Sequence, residues 1–484
     1  MFYNIFVNQL NAFTIIINNN MSYWDKEYTD GFFNVSKAHG FLPVRDPLRN
    51  LPAEYRELQD LINLLHVFQD KGVLGIPNEI VSQVEKIPDY SKTIDKETDV
   101  FILQALYRAY TFITSGFTLE QAYQEFIQSG NYGVARQLLP KNIALPLVLV
   151  SNKLDVYPWL DYHYSYSLGN YVKKDPAGDL HWKNLDMACK FTGTTDEIGF
   201  IMVHVYINEV SPKLVGSVMD YGLNNGIASL QLCGDVMEEM NRRRRDMWTA
   251  SRHERYNDFR IFIMGIKGND KIFDQGLVYE GCFDDAPQQY RGQTGAQDSI
   301  IPMIDIFTGI VDFYPDNKLT EYLLDLRTYR PKCIQNFFVD LRAHYKANPI
   351  FKQLSDAKCY EGLVHLLKIV DEVYLFRNGH WQFVQKYIMS NTKYAFATGG
   401  TPITSWLINQ IEAVLEYERT IIEFVKAASN NALDENKQWI QLSGGYDKKR
   451  RLLIEQVNEL RKIDYNIECV YMKNSELELE DSKL

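Results

Sequence analysis

The chain has 484 residues, of which 46% are hydrophobic and 23% are charged; this is the composition of a soluble globular protein with room for two or three domains and a large core. Its formal net charge of −11 excludes a general nucleic-acid binder, because neutralising phosphates requires an excess of Lys and Arg. The six cysteines are far apart and form no CxxC pair, which indicates reduced thiols in a cytoplasmic protein rather than a disulfide framework or a zinc site.

The chain begins with the apolar segment MFYNIFVNQLNAFTIIINNN. This segment lacks a basic region and a small-residue cleavage site, so it does not match a secretory signal. It is also too short and too rich in asparagine to span a bilayer, and no membrane association is predicted. Met21 opens a more polar stretch and could be the real start. Residues 1–20 are therefore predicted to be a disordered or non-native extension.

Most of the remaining chain carries apolar residues at helical spacing. The segments with this pattern are 51–72, 99–116, 225–248, 319–329, 360–388 and 403–428. Strand patterns are few and short, as in ALPLVLVS at 144–151. No repeat of the length found in solenoid proteins is present. The predicted fold class is all-α.

Three stretches interrupt the helical pattern. Residues 172–186 are polar and contain Pro and Gly, as expected of a connection between domains. Residues 265–297 are long and Gly-rich, and their aromatic and aliphatic content favours an ordered functional loop. Residues 390–402 are the third stretch. Residues 429–484 combine polar linkers, a charged helix and an acidic end, and they are predicted to form a peripheral helical and acidic extension.

Four consecutive arginines stand at positions 242–245, inside one of the predicted helices. A solvated helix face is the ordinary interpretation of such a run of like charges. An anion-binding patch or a localisation signal is the alternative, and the sequence does not decide between them.

The familiar enzyme signatures are missing from the sequence. HERYN at 253–257 begins like the zinc-protease motif HExxH, but Asn257 stands where the second histidine is required. No nucleophile elbow, Walker loop or dinucleotide fingerprint is present. ATGGTP at 397–402 is Gly-rich but precedes a helix and has no companion lysine. A turn whose backbone amides meet a carboxylate or a cofactor edge is the better interpretation of that segment.

His380 lies in FRNGHWQFV, where the turn dipeptide Asn378-Gly379 stands inside a helical pattern and apolar residues flank the histidine one turn away. A lone histidine on an apolar face is usually a buried core residue. Three features favour a ligand role. Gly379 would let a flat group approach the helix, Arg377 could pair with a cofactor carboxylate, and one axial imidazole is a sufficient protein ligand for haem iron.

His204 is the second candidate histidine. It lies in GFIMVHVYINEV, again in a predicted apolar helix. The alternative interpretation is a core histidine whose ring is hydrogen-bonded to a backbone carbonyl.

Seven segments, in order along the chain, resemble the indoleamine 2,3-dioxygenases. They are GFLPVRDPLRNLP (40–52), LLPKNIALP (138–146), NYVKKDP (170–176), GLVYEG (276–281), GQTGAQDS (292–299), HWQFVQKYI (380–388) and ATGGT (397–401). The resemblance extends from about Gly40 to about Val425. It implies a small N-terminal helical domain with its connection, residues 21–190, and a larger all-helical catalytic domain, residues 191–428, that holds one haem b.

The resemblance implies cofactor-binding roles for five residues. His380 matches the proximal ligand of the haem iron, and Arg377 matches an arginine near the haem propionates. Asp305 matches an acid that supports the proximal histidine through hydrogen bonds, which would make the imidazole a stronger donor. Thr294 and Gly295 match small residues that line the haem face.

The resemblance also implies substrate-binding roles. Arg260 matches the arginine that clamps the substrate carboxylate, for which a guanidinium fork is well suited. Phe200 matches an aromatic residue of the indole pocket. Thr398 and Gly399 match the mobile loop that closes over the amino acid.

Three positions depart from the usual pattern of the family. His204 stands where the animal enzymes carry serine, although the related tryptophan 2,3-dioxygenases carry a distal histidine; in a catalytic role it could accept the indole N–H, donate to bound oxygen or coordinate iron. Arg255 stands where an aromatic residue is usual, and His163 stands where a pocket tyrosine is usual. A cation in an indole pocket is costly unless it points outward or meets an anion.

The resemblance implies a haem dioxygenase that cleaves the indole 2,3-bond of L-tryptophan, or of a related indoleamine, with O2. The product would be N-formylkynurenine, the first step of the kynurenine pathway of tryptophan catabolism. The expected partners are the substrate, O2 and an unidentified electron donor, and the expected state is a cytoplasmic monomer. Two alternatives stay open: a haem-binding oxygen or redox protein on the same fold, with little tryptophan turnover, and a helical scaffold without haem.

Overall fold

The computed structural model describes residues 26–68, 72–390, 397–400, 403–462 and 471. In this part of the chain, α-helices dominate and the predicted all-α class is confirmed. Helices α1 to α17 are, in chain order, Arg56–Leu64, Glu79–Val84, Ser91–Lys96, Val100–Ser129, Lys141–Leu154, Thr195–Asn208, Ser211–Asn224, Ile227–Arg244, Met247–Ala250, Asn257–Arg260, Ile300–Thr308, Lys318–Arg327, Lys332–Ala347, Ile350–Asp356, Tyr360–Phe383, Ile403–Ala428 and Lys437–Arg461. The predicted N-terminal extension, residues 1–20, lies outside the described residues.

Short elements connect these helices. Strands β1 (Leu138–Leu139) and β4 (Val278–Tyr279) pair in parallel, and β2 (Tyr171–Lys173) and β3 (Leu185–Met187) pair antiparallel. The 3-10 turns are Ala53–Tyr55, Val73–Gly75, Trp182–Asn184, His253–Arg255, Ile261–Ile263, Phe283–Asp285, Gly295–Gln297 and Ile310–Phe313. The π turns are Tyr162–Tyr166 and Val384–Met389. The predicted irregular stretches around residues 172–186 and 265–297 therefore contain only short elements.

The long helix α4 illustrates how the sequence sets the helix ends. It begins after Asp99, whose carboxylate accepts a hydrogen bond from the backbone N–H of Phe101 at 2.8 Å. It ends at Gly130, whose φ of +76° is a left-handed conformation that glycine adopts without steric cost. Between these caps most side chains are buried, so α4 extends well beyond the predicted segment 99–116.

The predicted strand at 144–151 is wrong, because these residues lie in α5. A short continuous apolar run does not distinguish a buried strand from a buried helix. Here Ile143, Leu147 and Val150 follow helical spacing, and α5 packs on α4. Pro146 is tolerated inside the helix although it cannot donate a backbone hydrogen bond.

Helix α15 is central to the C-terminal half of the fold, where it packs on α8 and α16. Helix α17 packs on α16 and also contacts α15. Most buried apolar side chains form one cluster from Tyr28 to Leu460, and Tyr256, Phe259 and Tyr387 form a second, smaller one. The predicted boundary between two domains near residue 190 stays a prediction.

Two observations concern membrane association and cysteine chemistry. Across the described ranges, we find no helix that is both long and apolar enough to cross a bilayer. Five cysteines fall within those ranges, and each is a free thiol. Cys469 lies outside them.

Candidate functional site

A large cavity lies beside α6, α8, α11 and α15, and its volume is about 1750 Å³ when its open mouth is included. Its walls are mostly aromatic and aliphatic, and they include the two candidate histidines, His204 and His380. The cavity therefore brings both histidines to one mostly apolar space.

Helix α15 carries His380 to the wall of this cavity. The helix runs without a break from Tyr360 to Phe383, and the π turn Val384–Met389 follows it directly. The dipeptide Asn378-Gly379 therefore does not interrupt it. A glycine in a helix costs about 1 kcal/mol relative to alanine, and the packing of α15 on α8 and α16 outweighs that cost.

The space beside Gly379 holds the guanidinium group of Arg244. A Cβ atom added to Gly379 would overlap that group. This corrects the expectation that the glycine makes room for a flat cofactor, because in this structure it makes room for a cation. This cation belongs to the run of four arginines at 242–245, whose members differ in their exposure.

Two of the four arginines, Arg242 and Arg245, are exposed and match the interpretation as a solvated face, whereas Arg243 is half-buried. Arg242 and Arg243 each form an ion pair with Glu239, at 2.6 Å and 2.8 Å, and Arg245 is exposed. Arg244 instead lines the cavity. The run thus divides into a charged surface and one inward cation.

The ring of His380 is only partly exposed, and it is among the groups that line the cavity. Burial lowers the pKa of His380 to about 4, and the nearby Arg244 and His204 add to the effect. At neutral pH the imidazole is therefore uncharged, and one ring nitrogen keeps the lone pair that a metal ligand requires.

His204 makes the hydrogen bond to a backbone carbonyl that the core interpretation predicted, and it also lines the cavity. Its Nδ1 lies 2.9 Å from the carbonyl oxygen of Phe200. Because a carbonyl only accepts, Nδ1 carries the proton and Nε2 keeps the lone pair. A Cβ atom on Gly295 would lie 3.6 Å from Nε2, and both residues line the cavity. Burial lowers the pKa of His204, which keeps this neutral form at pH 7.

Asp305 and Arg377 form a buried ion pair in the cavity wall. Arg377 Nη2 lies 2.6 Å from Asp305 Oδ2, and Tyr314 donates to the same carboxylate. Arg377 Nη1 also donates to the carbonyl of Gln410 at 3.0 Å. Burial raises the pKa of Asp305, and the Arg377 cation lowers it. Among the described residues, Asp305 Oδ1 has no hydrogen-bond partner, so a ligand that brings a donor could use it.

Two loops meet at another part of the wall. Thr294 and Gly295 line the cavity together with Thr398. A Cβ atom on Gly399 would lie 3.2 Å from Cγ2 of Thr294, so the two loops are in close contact. The Gly399 carbonyl accepts a hydrogen bond from Arg291 Nη1 at 3.0 Å. The preceding residues 391–396 lie outside the described part, and the predicted mobility of the loop stays a prediction.

Aromatic rings form a wall around Phe200. Its ring centroid lies 4.9 Å from that of Tyr256, 5.7 Å from that of Phe259 and 6.1 Å from that of Tyr387. Phe200, Tyr256 and Tyr387 line the cavity. Such a wall suits an aromatic bicycle such as indole, because offset and edge contacts between rings add to the gain from burial.

Three predicted substrate residues do not line the cavity. His163 is fully buried, and its Nε2 lies 3.1 Å from Ser299 Oγ. Its neighbour Tyr162 lines the cavity instead. Arg260 is also fully buried, and its Nη1 lies 3.4 Å from the hydroxyl of Tyr132. The third residue is Gly399, whose neighbour Thr398 lines the cavity.

Arg255 points away from the cavity, while its neighbour Tyr256 lines it. Its guanidinium forms an ion pair with Asp258 at 2.8 Å and lies 5.4 Å from the ring centroid of Phe68. The expectation that a cation here would point outward or find an anion is met in both respects. Tyr256 was not predicted from the sequence, because the family's aromatic position aligns with Arg255 and not with Tyr256.

Replacing Arg255 by alanine is therefore expected to change KM for an indole substrate by less than about twofold, because this side chain does not line the cavity. Steady-state kinetics of Arg255→Ala beside the unchanged protein would measure this. A tenfold rise in KM would mean that the side chain reaches the substrate.

The residues of the cavity wall fit haem iron, which needs one axial imidazole from the protein. His380 lines the cavity and carries such an imidazole. Asp305 lines the same cavity, and its Oδ1 has no hydrogen-bond partner among the described residues. No group of three or more His, Cys, Asp or Glu side chains in the described part of the chain is arranged to hold a metal ion.

The part of the chain that matches known proteins includes the residues that line this cavity. The family model for indoleamine 2,3-dioxygenase matches residues 30–431. Indoleamine 2,3-dioxygenase 1 of Rattus norvegicus is 28% identical over 75% of this chain and 85% of its own length. Indoleamine 2,3-dioxygenase 2 of Homo sapiens is 25% identical over 79% of this chain and 94% of its own length. A 6-hydroxytryptophan 2,3-dioxygenase of Fusarium equiseti is 24% identical over 83% of this chain and 96% of its own length.

Proposed function

The chain belongs to the indoleamine 2,3-dioxygenase family, and on that premise we propose that it is a haem dioxygenase that cleaves the indole 2,3-bond of L-tryptophan with O2 to give N-formylkynurenine. The observation that carries the proposal is one apolar cavity lined by two neutral histidines and an aromatic wall. The relative that acts on 6-hydroxytryptophan makes a substituted tryptophan a reasonable second substrate.

The residues that would hold the cofactor share the cavity wall. His380 would bind the iron of haem b, and Thr294, Gly295 and the Arg377–Asp305 pair, which line the same cavity, would hold the cofactor with it. When bound, haem b supplies the iron that binds O2 and allows both oxygen atoms to enter the substrate. An anion in hydrogen-bonding reach of an iron-bound histidine strengthens it as a donor, and Asp305 is proposed to do this.

The residues that would handle the substrate lie near His204. Phe200, Tyr256 and Tyr387 would pack on the indole ring, and His204 Nε2 would accept the indole N–H. Thr398 would help to exclude water from the closed site. Holding the indole edge in place supplies much of the catalytic advantage, because orientation alone can contribute up to about 7–11 kcal/mol.

Arg260 is proposed as the clamp of the substrate carboxylate, for which its side chain would have to turn from Tyr132 into the cavity. Arg260→Ala is expected to raise KM for L-tryptophan by about tenfold or more, since hydrogen bonds to charged groups contribute about 1.5–3 kcal/mol. Haem content should stay unchanged. Tryptamine, which lacks the carboxylate, is the control substrate, and its KM should not respond. If Arg260→Ala and the unchanged protein have equal KM values for L-tryptophan, Arg260 does not bind the substrate carboxylate.

The activity itself has a direct test. The full chain is produced with haem supplied, reduced, and mixed with L-tryptophan under oxygen, and the products are identified by mass spectrometry. N-formylkynurenine that carries two atoms from labelled O2 is the expected product. A haem-loaded protein that turns over neither L-tryptophan nor 6-hydroxytryptophan would contradict the proposal.

A second candidate function is a haem protein for oxygen or redox chemistry with little tryptophan turnover. The observation that favours it is the lone pair of His204 Nε2 in the same cavity as His380, since two imidazoles can occupy both axial positions of one iron. A low-spin ferric spectrum that L-tryptophan does not perturb, and that becomes high-spin in His204→Leu, would support this function.

A further inference from the structure

Arg244 holds a position that the roles described above leave unexplained. Its guanidinium lies against Gly379 on α15, and its Cζ is 5.8 Å from the ring centroid of Phe376 and 5.7 Å from that of Phe383. These aromatic contacts hold the cation at the cavity wall. The side chain next in sequence to Gly379 is His380, the proposed iron ligand.

The polar contacts of Arg244 are weak. Its Nε donates to Asn241 Oδ1 at 3.3 Å, and Nη2 donates to the Leu375 carbonyl at 3.4 Å. The nearby carboxylate of Glu372 already accepts from Asn241 Nδ2 at 2.8 Å. None of the ion pairs among the described residues includes Arg244, whereas its neighbour Arg243 has two carboxylate partners.

Burial lowers the pKa of Arg244 to about 10, so the side chain stays charged at neutral pH. Arg244 is half-buried, and a charge that is partly removed from water gains from an opposite charge beside it. An anion that enters the cavity would therefore bind Arg244 in preference to the exposed arginines of the same run. A carboxylate matches the planar fork of a guanidinium and fits this site.

A carboxylate in the cavity could come from two sources, an amino-acid substrate or the haem itself. Because Arg244 contacts the residue next to His380, it lies on the side of the cavity that holds the iron ligand. A substrate that reacts with oxygen must lie on the opposite face of the cofactor. We infer that Arg244 binds a propionate carboxylate of the haem, and that Gly379 lacks a side chain so that the guanidinium can lie there. This inference rests on the proposed function.

The test compares two cofactors that differ only in their carboxylates. The full chain without cofactor is titrated with iron protoporphyrin IX and with its dimethyl ester, and binding is followed through the Soret band. Arg244→Met is expected to weaken binding of the free acid by about tenfold to a hundredfold, and to change binding of the ester by less than about twofold. Arg244→Lys should keep part of the preference for the acid.

Two further variants sharpen the comparison. Arg245→Met removes the same charge one residue away, on the exposed surface, and should change neither affinity. Gly379→Ala keeps the arginine but displaces its guanidinium, so it should weaken binding of the acid in the same direction as Arg244→Met. Thermal unfolding of each variant without cofactor shows whether the fold is retained.

The outcomes separate this inference from the proposed function. If the unchanged protein binds neither form of haem, the proposed function fails. If it binds haem and Arg244→Met keeps the full preference for the free acid, only the inference fails. If haem affinity is unchanged while KM rises for L-tryptophan and not for tryptamine, Arg244 binds the substrate carboxylate, which overturns the assignment to the cofactor.

Discussion

Replacing His380 by alanine is expected to abolish haem retention and, with it, dioxygenase activity. Partners that only orient a metal-bound histidine already contribute about tenfold to a hundredfold to metal affinity, so the loss of the ligand itself should exceed that range. The purified variant should show no Soret band after gel filtration, and its product formation should fall to background.

The matched control is His365→Ala, since His365 lies on the same helix but does not line the cavity. This variant should keep its haem. Added imidazole should restore part of the haem binding of His380→Gly, because the free ring can enter the space of the lost side chain. A normal Soret band in His380→Ala would exclude this residue as the axial ligand.

Replacing Lys449 by methionine is expected to lower the free energy of unfolding by about 3–5 kcal/mol, the usual cost when one partner of a buried ion pair is lost. Lys449 on α17 contacts Glu418 on α16, at 2.8 Å and 3.0 Å, and Asp371 on α15. Glu418 is fully buried and Asp371 is partly exposed, so without the cation a buried acidic group faces a second acidic group. Chemical denaturation followed by circular dichroism measures the difference.

Lys352→Met is the control for this prediction, because Lys352 pairs with Asp356 on the protein surface. Its effect should stay below about 1 kcal/mol. A triple variant that adds Asp371→Asn and Glu418→Gln to Lys449→Met should regain much of the lost stability, since no buried charge is then left unpaired. An equal stability of Lys449→Met and the unchanged protein would show that the cluster is already neutral.

The sequence predicted well those features that depend on a repeating pattern. Helical spacing gave the long helix that carries His380, because apolar positions recur along one face and packing fixes that face inward. It failed at 144–151, because a short continuous apolar run fits a buried strand as well as a buried helix. Three of the seven family segments, 292–299, 380–388 and 397–401, contribute residues to the cavity wall.

The sequence predicted less well the direction of individual side chains. At positions 162–163, the residue that lines the cavity is the neighbour of the predicted one, and at 255–256 it is Tyr256 rather than Arg255, which stands where the family usually has an aromatic residue. Both pairs lie in or beside short π and 3-10 turns, where adjacent side chains diverge and the register of a regular helix does not apply. Arg244 was missed because nothing in a run of four arginines distinguishes the one that faces Gly379.

Helix α17 has a consequence for where the folding unit ends. The family match stops at residue 431, ahead of this helix, yet Lys449 supplies the cation between α15 and α16. During synthesis α15 and α16 leave the ribosome first, so their facing carboxylates wait for a partner that arrives later. A fragment that ends at the boundary of the family match would lack that partner. In the full chain, the packing of α15 is complete only after α17, which lies beyond the family match, has been synthesised.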